Sequence, residues 1–159
     1  MKLTIELVPG TSWGNNLRSL LEPADWDRLR KAQYAKANYV CEVCGGKGRT
    51  YPVECHEIWE YNDRTHVQKL AGLVALCPAC HQVKHIGRTI SLGQGDLAVA
   101  HMSRVNGESR ECSWEHVQRA LQEHSTRSLH KWTIDLAWLT DQGFWVSEPE
   151  ICSGGTGEA

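Results

Sequence analysis

Cys77-Pro-Ala-Cys-His-Gln-Val-Lys-His85 is the stretch on which the fold turns. A Cys-x-x-Cys turn aims two sulfurs at one ion, and Pro78 at a first helical position opens a helix read here through Ile86. On that helix His81 and His85 stand four residues apart, so both imidazoles leave the same face. A second pair, Cys41-Glu-Val-Cys44, lies upstream and is followed by Gly45-Gly46, which gives the backbone the freedom that a zinc knuckle uses. Four thiolates from two such turns make a closed tetrahedral set, so Cys41, Cys44, Cys77 and Cys80 are expected to hold a structural zinc. Residues 45–76 are more than a minimal ribbon needs, and a further element is expected there.

Working outward, the seven cysteines of the 159-residue chain are an odd number. The first residues, Met-Lys-Leu-Thr-Ile-Glu-Leu, alternate like a strand and lack the unbroken apolar run of a secretory signal. Both points argue against a disulfide framework, and a cytoplasmic setting is expected. Cys55, Cys112 and Cys152 fall outside the pairs. No apolar run is long enough to span a bilayer, so no membrane partner is expected. Net charge is −2, but its distribution is uneven: residues 1–49 hold eight Lys/Arg against five Asp/Glu, and residues 92–159 hold five against ten. Any phosphate-facing surface therefore belongs to the first half. Arg28, Arg30, Lys31 and Lys36 read equally well as a solvated helix face.

The coarse pattern is α+β. Residues 2–8 read as a strand stopped by Pro9-Gly10, and Pro23 opens a helix to about Asn38 with Trp26, Leu29 and Tyr34 facing inward. Residues 50–60 look extended, a loop covers Asn62–Thr65, and Leu73–Leu76 is a short apolar strand. Residues 95–105 and 114–129 read as helices, the second capped by Ser113 with Glu115 in its first turn. Trp132–Trp138 alternates like a strand, and Thr133-Ile-Asp-Leu echoes Thr4-Ile-Glu-Leu, so the two ends are expected to pair. The whole reads as one domain over 1–152, with its zinc-bearing core at about 38–88 and a disordered tail over 153–159.

Between the cysteine pairs, Val53-Glu-Cys-His-Glu-Ile58 carries His56 at the end of a strand. Taken together, Cys41-Glu-Val-Cys44, Glu54-Cys-His56, Gly72-Leu-Val-Ala-Leu-Cys77-Pro-Ala-Cys80-His81 and His85 resemble the HNH endonuclease family. The likeness is to the branch whose ββα-metal motif is clamped by two Cys-x-x-Cys pairs, and it covers residues 41–85. It implies a zinc-stapled ββα-metal core with N-terminal strand–helix and C-terminal helical and strand extensions. It also implies phosphodiester hydrolysis on nucleic acid, with DNA expected as the substrate. His56 matches the general base, and His81 and His85 match the ligands of one catalytic divalent ion (Mg, Mn, Ni or Zn).

Two positions depart from the family's pattern. Cys55 stands where an Asp or His ligand usually precedes the base, and Gly72 stands where the motif has its Asn. Cys55 and Glu57 are therefore further candidates for the catalytic metal, with Glu54 as another oxygen donor and Asn62 as a replacement brace. Lys47, Arg49, Lys84 and Arg88 flank the site in sequence and are expected to contact phosphate, Lys84 first. Trp59 and Tyr61 read as core or as a stacking surface for bases. His66, His101, His116, His124 and His130 read as surface or packing residues. The rival readings are an HNH scaffold that no longer cuts but still binds nucleic acid or a protein partner, and a zinc-stapled structural protein. Cutting both strands from one site per chain requires two visits or a homodimer.

Overall fold

Residues 54–76 form the antiparallel hairpin around which the chain is arranged, in a computed structural model that describes residues 1–146. β1 (Glu54–Asn62) and β2 (Val67–Leu76) pair along their full length. The extended segment expected over 50–60 is present but starts later, at Glu54, and runs to Asn62, while the apolar strand expected over Leu73–Leu76 begins earlier, at Val67. Asn62 closes the turn by accepting the amides of Arg64 and Thr65 on its Oδ1, both at 3.1 Å. One bulge interrupts the ladder: Ile58 opposes Gly72 and Trp59 opposes Leu70, which leaves Ala71 unopposed.

Successive side chains of a strand leave opposite faces, so the hairpin separates two cores. On one face Leu76, Cys77, Cys80, Val83 and Ile86 pack with Val99, Met102 and Val117. On the other, Trp59, Leu70 and Leu73 pack with Leu17, Leu29, Leu139 and Phe144.

The described residues contain seven α-helices, a short 3₁₀ helix at Gly10–Ser12 and a three-stranded sheet. α1 (Leu17–Leu20) and α2 (Pro23–Lys36) precede the hairpin. Pro23 takes the first turn of α2 as expected, and Leu29 and Gln33 are its buried positions, while Tyr34 lies only at the margin. α3 (Pro78–Lys84) and α4 (Ile86–Ser91) follow β2 and break at His85, short of the single helix through Ile86. α5 (Gly95–Asn106) and α6 (Arg110–Arg127) complete the first core. The cap of α6 is Ser109, which accepts the Cys112 amide; Ser113 lies inside the helix and donates to the Glu108 carboxylate at 2.7 Å.

The two ends of the chain do not pair as strands. Leu3 and Ile5 point inward as the alternation predicts, but their backbone is satisfied by helix side chains. Asn106 Oδ1 accepts the Lys2 and Leu3 amides, Asn106 Nδ2 donates to the Leu3 carbonyl, and His116 Nε2 accepts the Ile5 amide. β3 (Thr133–Asp135) instead adds in parallel to Val67–Lys69 of β2. It stops where the Asp135 carboxylate accepts the Ala137 amide at 2.9 Å and turns the chain into α7 (Ala137–Asp141). The tail expected over 153–159 lies outside the described residues. Among the described residues, no helix is long and apolar enough to cross a membrane.

Candidate metal centres

Cys41, Cys44, Cys77 and Cys80 present sulfurs that all lie within 4.8 Å of one another. The first pair sits in a turn closed by Cys41 N to Gly46 O and Gly45 N to Cys41 O, both at 2.9 Å, with Gly45 at φ +74°. The turn is pinned to β2: the Glu42 amide donates to Ala75 O at 2.9 Å, and Glu42 Oε2 accepts the Ala75 amide at 2.6 Å. Gly48 allows the next approach, because a Cβ there would meet Tyr51 O at 2.1 Å and Pro78 Cδ at 2.8 Å. The second pair straddles the start of α3, with Cys77 as its cap residue.

The sulfurs suit a tetrahedral ion. Cys44 Sγ and Cys77 Sγ are 3.5 Å apart, against about 3.8 Å for thiolates at roughly 2.3 Å from zinc. Backbone amides point at the cluster, as Gly46 N does at Cys44 Sγ (3.4 Å). A hydrogen bond from the Cys80 thiol and the amides of Cys44, Cys77 and Val43 hold Cys41 well below the ordinary thiol value, so the group is biased toward thiolate.

A second cluster lies on the adjacent face of α3. His56, His81 and His85 each bring a ring nitrogen within 4.8 Å of the other two. Although α3 ends at Lys84, the His85 amide still donates to the His81 carbonyl at 3.1 Å, which preserves the one-turn spacing. The two Nε2 atoms stand 3.1 Å apart, close to the roughly 3.3 Å expected for two imidazoles on one tetrahedral ion. The His56 ring packs edge-on against both, at centroid distances of 5.3 and 5.0 Å.

Glu54, two residues before His56 and so on the same face of β1, accepts His81 Nδ1 at 2.9 Å. That bond directs the His81 Nε2 lone pair into the cluster, as a carboxylate behind a metal-binding histidine does. Burial holds all three imidazoles below their ordinary value, His85 at about 4 and His56 at about 2, with the neighbouring histidine charges adding to the effect at both. They are therefore neutral, the form that binds a metal or takes a proton.

Cys55 and Glu57 are not brought to this cluster. Strand alternation turns both to the opposite face of β1. Cys55 packs there in the second core, where burial pushes its thiol up to about 12. Glu57 accepts the Leu17 amide at 2.7 Å and Trp59 Nε1 at 3.1 Å, and so serves α1 and the core. Trp59 is buried and packs as core. Asn62 lies at the far end of β1 from His56, and Gly72 sits at the bulge, so neither braces the histidine. With 50–60 extended, strand parity alone sets Glu54 with His56 and sets Cys55 and Glu57 apart.

The expected phosphate contacts divide. Lys84 is 11% exposed and pairs with Glu6 and Thr4 of the N-terminal segment. Arg88 is exposed and close enough for its charge to lower the His81 and His85 values. Lys47 and Arg49 are exposed along an open hollow of about 350 Å³ that Tyr51 and Pro78 also line. Among the other histidines, His116 receives the Ile5 amide, His66 stacks on His130, and His101 brings Nε2 to 3.1 Å from Cys80 Sγ. No family model, curated protein or solved structure matches the chain.

Proposed function

We propose that this chain is a metal-dependent endonuclease of HNH type that hydrolyses phosphodiester bonds of DNA. The observation that carries the reading is the convergence of His56, His81 and His85 at the junction of a β-hairpin and the helix that follows it, beside a four-cysteine cluster. His81 and His85 hold the divalent ion, and Glu54 keeps the His81 ring turned toward it. Once bound, that ion supplies positive charge to the phosphate oxygens as negative charge develops on them.

His56 stands edge-on to both His81 and His85, within reach of a water held at that pair, and is assigned the proton of the attacking water. Exposed Arg88, Lys47 and Arg49 offer donors to the backbone of the nucleic acid. Lys84 adds its positive charge to the site, with its ammonium shared by Glu6 and Thr4.

A second reading is favoured by one specific observation. Cys55 occupies the position before the general base, yet it faces away from the histidines and keeps its proton. A scaffold short of that ligand would bind nucleic acid or a protein partner without cutting. Nicking of supercoiled plasmid with Mg, Mn, Ni or Zn separates the two. The endonuclease reading expects cleavage that falls by about 10²- to 10⁴-fold in His56→Ala. Undiminished cleavage by His56→Ala overturns the assignment of the base. Salt-dependent DNA affinity without cleavage under any of the four ions supports the binding module.

A further inference from the structure

His101 projects from α5, the helix that packs its Ala98, Val99 and Met102 against Cys80, Val83 and Ile86. Its Nε2 lies 3.1 Å from Cys80 Sγ, and Cys80 is fully buried. We propose that His101 donates a hydrogen bond to the metal-bearing Cys80 thiolate and thereby fastens helix α5 to the four-cysteine centre. The proposal rests on metal at the four cysteines and is independent of phosphodiester cleavage.

A thiolate bound to a metal has lone pairs and no proton, so the contact is favourable only with hydrogen on His101 Nε2. Four thiolates around a divalent ion leave the centre negatively charged, and each N–H aimed at a sulfur spreads that charge. Cys44 has the Gly46 amide for this purpose, and its surroundings are open to water. Cys80 is sealed from solvent, and a buried anion left without a donor is costly. The histidine comes from an element outside both Cys-x-x-Cys turns, so metal loading and the seating of α5 become one event. The same helix ends at Asn106, which clasps the backbone of Leu3. Occupancy of the centre is therefore felt at the N-terminal segment.

The test uses the full chain with Co(II) in place of zinc, comparing wild type with His101→Leu, which removes the donor, and His101→Gln, which can restore one. His101→Leu is expected to shift the sulfur-to-cobalt charge-transfer band and to lose metal to a competing chelator about 10- to 100-fold more readily. His101→Gln is expected to recover most of both. Should His101→Leu fail to fold, wild type loaded with ¹¹³Cd still decides the matter. Nitrogen NMR must find His101 protonated at Nε2, with a scalar coupling from that proton to cadmium. Wild-type spectra and chelator competition in folded His101→Leu overturn the proposal, as does an Nδ1-protonated tautomer in the cadmium protein. A wild-type chain that takes up neither Co(II) nor Cd(II) at its cysteines overturns it together with the metal reading.

Discussion

Glu54 reaches the histidine cluster through its 2.9 Å bond to His81 Nδ1, and that bond sets the direction of the His81 lone pair. Glu54→Gln preserves the shape and removes the charge. Metal affinity at the histidine centre is expected to fall about 10- to 100-fold, measured by calorimetric titration with the four-cysteine centre already loaded. Unchanged affinity would mean that the ring is oriented by packing alone. The buried imidazoles also make the protein sensitive to acid while that centre is free of metal. Unfolded histidines protonate near 6.5, whereas His85 in the fold holds out to about 4 and His56 to about 2. Below 6.5 the unfolded chain binds more protons than the folded one, so stability is full above that pH and is lost progressively as pH falls toward 4 and beyond. Urea midpoints at pH 7.5, 6 and 5 should decline in that order, and more shallowly in His85→Asn.

At the scale of elements, the N-terminal segment shows how an alternating stretch can be ordered without a strand partner. Asn106 alone satisfies two amides and one carbonyl of residues 2 and 3. Asn106→Ala leaves the Leu3 groups unpaired beside the core, and a loss of about 1–3 kcal/mol is expected in urea unfolding. Hydrogen exchange at Leu3 and Ile5 should accelerate while β1 and β2 keep their protection. The same element explains why the matched ends of the sequence do not meet. Asn106 and His116 occupy the polar edge of residues 2–5, and β3 finds an open edge at Val67–Lys69 of β2 instead.

Across the whole molecule, the hairpin divides two cores, and only one of them includes the cysteines. A chelator that strips an ion from the four cysteines would leave the Cys41, Cys77 and Cys80 sulfurs buried without it, in the core that also holds α3, α5 and the N-terminal segment. Protection in α3 and α5 is expected to fall first, with α2 and the Leu139–Phe144 region persisting; simultaneous loss everywhere in a hydrogen-exchange time course would show that the two cores unfold as one.

This division also marks how far the sequence could be read. The two Cys-x-x-Cys turns, the His81–His85 spacing, Pro23 and Pro78 at helix starts and the parity of β1 are local, because each follows from geometry within one turn or one strand. Those residues by themselves determined the four-sulfur cluster and the shared face of His81 and His85. The tertiary structure alone decided that Glu54 stands behind His81, that Lys84 is drawn to Glu6, that Asn106 replaces a strand for Leu3 and that His101 reaches Cys80. Each of these joins elements separated in sequence, and such contacts depend on how helices seat against the hairpin, which no short-range pattern encodes.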